Sequence, residues 1–232
     1  MALPSISTPE FITKVPSTGE EIKYRPFLVK EEKLLLMAME GKDQNEIQNA
    51  VQNILTNCIL TPVDVSKLAT FDIEYLFLQL RSKSVGEVIQ IKVGHSDESE
   101  CTHRSEVSVN VDDVQVKGEV QDGKIMLTDD IGIVLRYPNM TDIQSVSGED
   151  TGSLFKIVYR CIDYVFDKEQ VYNDFSETEI EEWMETLNQN QFQKISEYFN
   201  SVPRLSHEIE WTCNQCGKKD KITLEGLQSF FT

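Results

Sequence analysis

The sequence predicts an α+β fold, and three observations point there. Period-two alternation of apolar and polar residues marks strands near the N-terminus and through the middle of the chain. Apolar residues at three- and four-residue spacing mark helices on either side of that middle. The strand-like and helix-like segments come in separate blocks, which is the α+β pattern. The expected order is an N-terminal hairpin with helices, a central antiparallel β region carrying zinc-ribbon-like hairpins, and a C-terminal helical block.

Each element has a local reason. Phe11–Val15 alternates, Pro16 to Gly19 supplies a turn, and Glu21–Arg25 alternates again, so the chain opens with a β-hairpin that Pro26 ends. A helix follows from Val29, with Glu31 and Glu32 in a first turn that favours acids, then Leu34, Leu35, Leu36 and Met37, and Gly41 as its stop. Asp43 starts a second helix, and Glu46 three residues on completes a capping box. Ile47, Ala50, Val51, Ile54, Leu55, Cys58 and Ile59 form its apolar stripe. A third helix covers about Thr70–Arg81, its run Tyr75 to Leu78 reading as fully buried. Strands are expected at Glu87–Val93, Glu106–Val111, Lys124–Leu127 and Ile131–Leu135, with turns such as Asp122-Gly123 between them. Helices return at Ser153–Phe166, at Glu177–Leu187 behind a Ser176/Glu179 capping box, and at Gln191–Val202. The segment Glu208–Thr232 reads strand, knuckle, strand, short helix. These blocks suggest regions 1–86, 87–150 and 151–232, or one continuous domain, with Gly148 to Gly152 as the best boundary.

Bulk properties narrow the function classes. The chain has 232 residues, one large domain or two small ones, and 40% hydrophobic residues, enough for a real core. Thirty-nine acids against 22 bases leave a formal net charge of −17. Such a surface repels phosphate backbones and anionic membranes, and the longest basic run is Lys218-Lys219, so no nucleic-acid partner is expected. The N-terminus lacks the basic and apolar regions of a signal peptide, and no stretch approaches the roughly 18 apolar residues of a membrane span. Five scattered cysteines fit a reducing compartment better than a disulfide scaffold.

Catalytic signatures are missing. There is no phosphate-binding glycine loop, no Gly-x-Ser-x-Gly and no His-Glu-x-x-His, and only His95, His103 and His207 could serve as an imidazole base. The acidic pairs Asp112-Asp113, Asp129-Asp130 and Glu181-Glu182 read as solvated faces, since neighbours along a strand point to opposite sides. The acid-rich run 163–182 lacks the glycine and spacing of a calcium loop. We therefore expect no enzyme activity, no catalytic residues and no small-molecule substrate.

One metal-like signal remains. Cys213-Asn-Gln-Cys216-Gly217 lies between two strand-like segments, the glycine serving the positive φ of a knuckle turn and both sulfurs facing one cation. A structural zinc needs four ligands, and the other candidates cluster at Cys101-Thr-His103, with His95 upstream. Cys101, His103, Cys213 and Cys216 would make a Cys₃His zinc ribbon from two facing hairpins. The alternatives are a metal-free hairpin with packed or exposed thiols, or a redox Cys-x-x-Cys, which usually opens a helix after a strand. Cys58 and Cys161 sit on apolar helix faces and read as core. At the end of the chain, Leu227, Phe230 and Phe231 are large and apolar; either they dock on the protein's own body or they anchor a partner.

The segment from Val15 to Ala38 resembles the N-terminal signature of the baseplate hub family of T4-like contractile-tailed bacteriophages. The C-terminal half is similar in Gln191-Phe192, Phe199, Pro203-Arg-Leu205, Cys213-x-x-Cys216-Gly217 and the ending Leu224 to Phe231. Order and spacing hold over nearly the whole chain. Cys101-x-His103, where a second regular Cys-x-x-Cys would stand, departs from the pattern. The resemblance implies a virus-encoded protein made in the host bacterial cytoplasm, acting in assembly of the baseplate's central hub and bringing no catalytic residues. Its partners would be other hub proteins or the tape-measure protein. Two roles follow: a component that stays in the tail baseplate of the virion, favoured by the family, or a chaperone that leaves, mildly favoured by the charge.

Overall fold

A computed structural model describes residues 6–41, 43–95, 101–145 and 151–230, and bears out the α+β class. The chain folds into two compact units. The first gathers residues 1–65, 71–117 and 204–232, and the second gathers 66–70 and 118–203. The second is thus largely an insertion rather than a tract in sequence order. The boundary expected near Gly148 falls mostly on 146–150, outside the described residues.

The first unit opens with β1 (Phe11–Lys14) and β2 (Glu21–Tyr24), paired from Phe11↔Tyr24 to Lys14↔Glu21. Helix α1 (Val29–Gly41) has the expected limits, but four apolar residues in a row cannot share one face. Leu35 is buried, whereas Leu34, Leu36 and Met37 are exposed. Glu31 is the unforeseen buried residue. Its carboxylate accepts from Arg25 Nη2 at 3.0 Å and from the Leu28 N–H at 2.8 Å. Burial works to raise the Glu31 pKa, but these bonds and Lys30 outweigh it and hold the carboxyl below its usual range.

Helix α2 (Gln44–Cys58) buries Ala50, Val51, Ile54, Leu55 and Cys58, the stripe read from the sequence. Asp43 caps it by accepting from the Asn45 N–H at 2.8 Å, one residue short of the capping-box geometry expected with Glu46. Helix α3 (Thr70–Val85) runs a turn beyond its expected end, and its Tyr75 is only half-buried while Leu76, Phe77 and Leu78 are buried.

Two antiparallel systems complete this unit. β3 (Val88–Val93) pairs with β4 (Ser105–Asn110), and Ile89, Ile91 and Val93 face inward. β5 (Gln115–Lys117) was not expected. It pairs with β10 (Arg204–Thr212) over Arg204↔Lys117 to Ser206↔Gln115, and β10 pairs in turn with β11 (Lys219–Glu225). Since β5 is where the chain leaves the first unit and β10 is where it returns, the inserted residues begin and end on adjacent strands.

The second unit is a four-stranded sheet of β6 (Lys124–Met126), β7 (Gly132–Leu135), β8 (Ile162–Phe166) and β9 (Val171–Tyr172), in that order, with four helices among its described residues. Helix α4 is Met140–Gln144, and α5 is Thr151–Arg160. The expected single helix to Phe166 is wrong in its second half. After Arg160 the chain becomes β8, where Ile162, Tyr164, Val165 and Phe166 supply the β-branched and aromatic residues that strands favour and β7 supplies an edge to pair with. Helices α6 (Glu177–Glu185) and α7 (Gln189–Asn200) bury Ile180, Met184, Ile195 and Tyr198 in a core with Leu127, Ile133, Leu135, Ile162 and Val165 of the sheet segment. Ser176 and Glu179 form the capping box expected of them. Arg136 grips Asp142 with both nitrogens, at 2.6 and 2.9 Å, and also donates to the Arg160 carbonyl at 2.7 Å.

Candidate metal centre

In the first unit, the β10–β11 hairpin narrows to the pair Thr212↔Lys219 and turns through Cys213 to Lys218. The Gly217 N–H donates to the Cys213 carbonyl and the Cys213 N–H to the Lys218 carbonyl, both at 2.9 Å. Gly217 has φ +72°, so the knuckle needs the residue that tolerates it. The second side comes from the β3–β4 hairpin, whose last pair is Val93↔Ser105. His95 lies just past β3 and Cys101 just before β4. Ser105 Oγ accepts from the Asn214 N–H at 3.1 Å and ties the two hairpins together.

His95, Cys101, Cys213 and Cys216 each offer one ligand atom, and all four atoms lie within 4.8 Å of one another. Cys101 Sγ is 3.8 Å from Cys213 Sγ, and Cys216 Sγ is 3.3 Å from His95 Nε2. The 3.8 Å separation is far beyond the roughly 2.05 Å of a disulfide, and all five cysteines are free thiols. The other ring nitrogen, His95 Nδ1, lies 3.2 Å from Asp220 Oδ2. The Trp211 ring lies beside the imidazole with centroids 5.1 Å apart and planes tilted by 35°, and the imidazole is 1% exposed.

Hydrogen bonding favours anionic sulfur at Cys213. Backbone N–H groups of Cys216 and Gln215, with help from His95, lower the Cys213 thiol to about 5. Hydrogen bonds with Cys213 first and Asp220 second raise His95 to about 9. At Cys101 the His103 backbone favours the thiolate, but burial and the neighbouring thiols outweigh it and push the pKa up. Cys58 and Cys161 differ: both are fully buried, and burial pushes them up to about 11 and about 12. Three soft sulfurs and one imidazole nitrogen are a donor set for a tetrahedral metal ion.

The structure brings together three of the four expected ligands. His103 is not in the cluster, and His95 stands in its place. Residues 89, 91 and 93 face inward along β3, and His95 continues that period of two, a signal the sequence did contain. Asp220 and Trp211 carried no local signal, because only the β10–β11 register sets them opposite each other beside the histidine. Leu227 and Phe230 are 8% and 1% exposed, and Phe230 belongs to the core cluster of Leu78, Leu205 and Leu224, so these two side chains face inward in the described chain. Phe231 lies outside the described residues. The acidic pairs at 112–113, 129–130 and 181–182 are all exposed.

A family model described as T4 bacteriophage base plate protein matches residues 8–232. The chain belongs to that family. It is a T4-like baseplate protein, and other structural proteins of the phage tail are its natural neighbours. No curated protein and no solved structure matches it. Among the described residues of this baseplate protein, no helix is long and apolar enough to cross a membrane.

Proposed function

We propose that this baseplate protein is a non-catalytic component of the central hub of a contractile tail, retained in the finished virion. The observation that carries the reading is the family match, which spans both compact units. Two features support it. Helix α1 presents Leu34 and Met37, one turn apart, to solvent at 40% and 60% exposure, an apolar pair suited to a neighbouring subunit. The net charge of −17 directs the chain toward protein partners and away from nucleic acid. Its partners would be other hub proteins or the tape-measure protein, met first in the host cytoplasm.

The same charge also favours a second reading, a transient chaperone of the hub or tape-measure protein. Mass spectrometry of purified virions separates the two. The hub reading expects peptides of this chain at a fixed ratio to other baseplate proteins. Their absence from virions that assemble normally would leave the chaperone role.

A further inference from the structure

We propose that His95, Cys101, Cys213 and Cys216 bind one structural zinc ion, and that Asp220 is the residue that orients His95 toward it. The inference stands on side-chain geometry and is independent of the role in the tail.

Zinc with sulfur at about 2.3 Å and nitrogen at about 2.05 Å sets tetrahedral sulfurs about 3.8 Å apart and sulfur about 3.5 Å from nitrogen. The observed separations are 3.8 Å for Cys101 to Cys213 and 3.3 Å for Cys216 to His95, and no pair exceeds 4.8 Å. The ligand atoms therefore already stand near the corners of one coordination shell. The imidazole can bind through only one nitrogen. Asp220 holds Nδ1 at 3.2 Å, so Nε2 is left facing the sulfurs, as in the carboxylate–histidine–zinc arrangement. The buried Trp211 ring packs beside the imidazole, tilted by 35° to it.

Four protein ligands close the shell and leave no position for water or substrate, so the ion holds structure and does no chemistry. What it holds is specific. His95 and Cys101 belong to the β3–β4 hairpin, and Cys213 and Cys216 to the β10–β11 hairpin. These hairpins are in separate sheets, and 112 residues separate Cys101 from Cys213 in sequence. One ion would join them covalently in the folded state only. Binding releases protons from thiols, so zinc is held more weakly as pH falls.

The test uses the full chain, purified without chelator. Elemental analysis should find one zinc per chain, and X-ray absorption at the zinc edge should fit three sulfurs and one nitrogen. Cobalt(II) in place of zinc should give the intense ligand-field bands of a tetrahedral site with sulfur-to-cobalt charge transfer. His95→Cys should keep the metal but move the cobalt spectrum to that of four sulfurs, a readout that does not depend on losing the fold. His103→Ala should retain zinc and leave the spectrum unchanged. Asp220→Asn should weaken zinc binding about 10- to 100-fold in a chelator competition. A chain without metal, a chain holding iron instead, or a cobalt spectrum indifferent to His95→Cys would overturn the site. Undiminished affinity in Asp220→Asn would overturn the orienting role.

Discussion

Phe230 is 1% exposed, the most buried aromatic near the end of the described chain, and it packs in the cluster that includes Leu78, Leu205 and Leu224. The 3₁₀ turn that carries it, Leu227–Phe230, is held by the Leu227 N–H donating to Glu74 at 3.2 Å, and burial raises the Glu74 pKa. Phe230→Ala removes a ring from a close-packed core and leaves a cavity, a change that costs about 3–5 kcal/mol. At about 2–4 °C per kcal/mol for a domain of this size, the melting temperature of the first unit should fall by about 6–20 °C. The two tryptophans, Trp183 and Trp211, lie in different units, so fluorescence of Trp211 in a Trp183→Phe background reports the first unit alone. Ile12→Ala, at a site 62% exposed, is the control and should shift stability by no more than about 0.5 kcal/mol. A melting temperature of Phe230→Ala within about 2 °C of the parent would refute the packing of this turn and restore Phe230 as a free anchor for a partner.

Arg25→Ala removes the guanidinium from the buried Glu31 carboxylate, leaving it Lys30 and the Leu28 N–H, and should cost about 1.5–3 kcal/mol in urea unfolding at neutral pH. The Glu31 pKa is lower folded than unfolded, so its contribution is present above the unfolded value near about 4.3 and is lost as pH falls through the folded value. The gap between parent and Arg25→Ala should therefore narrow in acid, and a gap independent of pH would contradict the pairing. Gly123→Ala should destabilise the second unit more than Gly217→Ala does the first. Both glycines have φ +72°, but an added Cβ at Gly123 would overlap the Leu135 carbonyl oxygen, whereas at Gly217 it meets nothing within 4 Å. Equal melting shifts in the two variants would contradict that difference.

How much of this was legible depended on how far apart the interacting residues are. The stripe of α2, the first hairpin and the Ser176/Glu179 capping box depend on residues within a turn or two, and local pattern showed them. Two further capping boxes, Asn139/Asp142 and Asn188/Gln191, were not read from the sequence, although asparagine is as good a cap as the Asp43 and Ser176 that were. The pairing of β5 with β10 could not be read, since Gln115–Lys117 is three residues long and its partner lies nearly ninety positions away. Strand β8 was lost because Ile162–Phe166 directly continues an apolar helix, and only the edge of β7 decides its conformation. At the metal centre the Cys-x-x-Cys turn was plain from spacing. Choosing His95 over His103 needed the inward face of β3, and Asp220 needed the register of β10 with β11.

The most direct measurement of the assembly role is a nonsense mutation in this chain's reading frame, introduced into the phage genome and grown in a host that does not suppress it. Electron microscopy of the lysate should show filled heads without complete baseplates or tails, and supplying the chain in trans should restore infectious particles. Intact tails in normal numbers without the chain would contradict a role in building the baseplate.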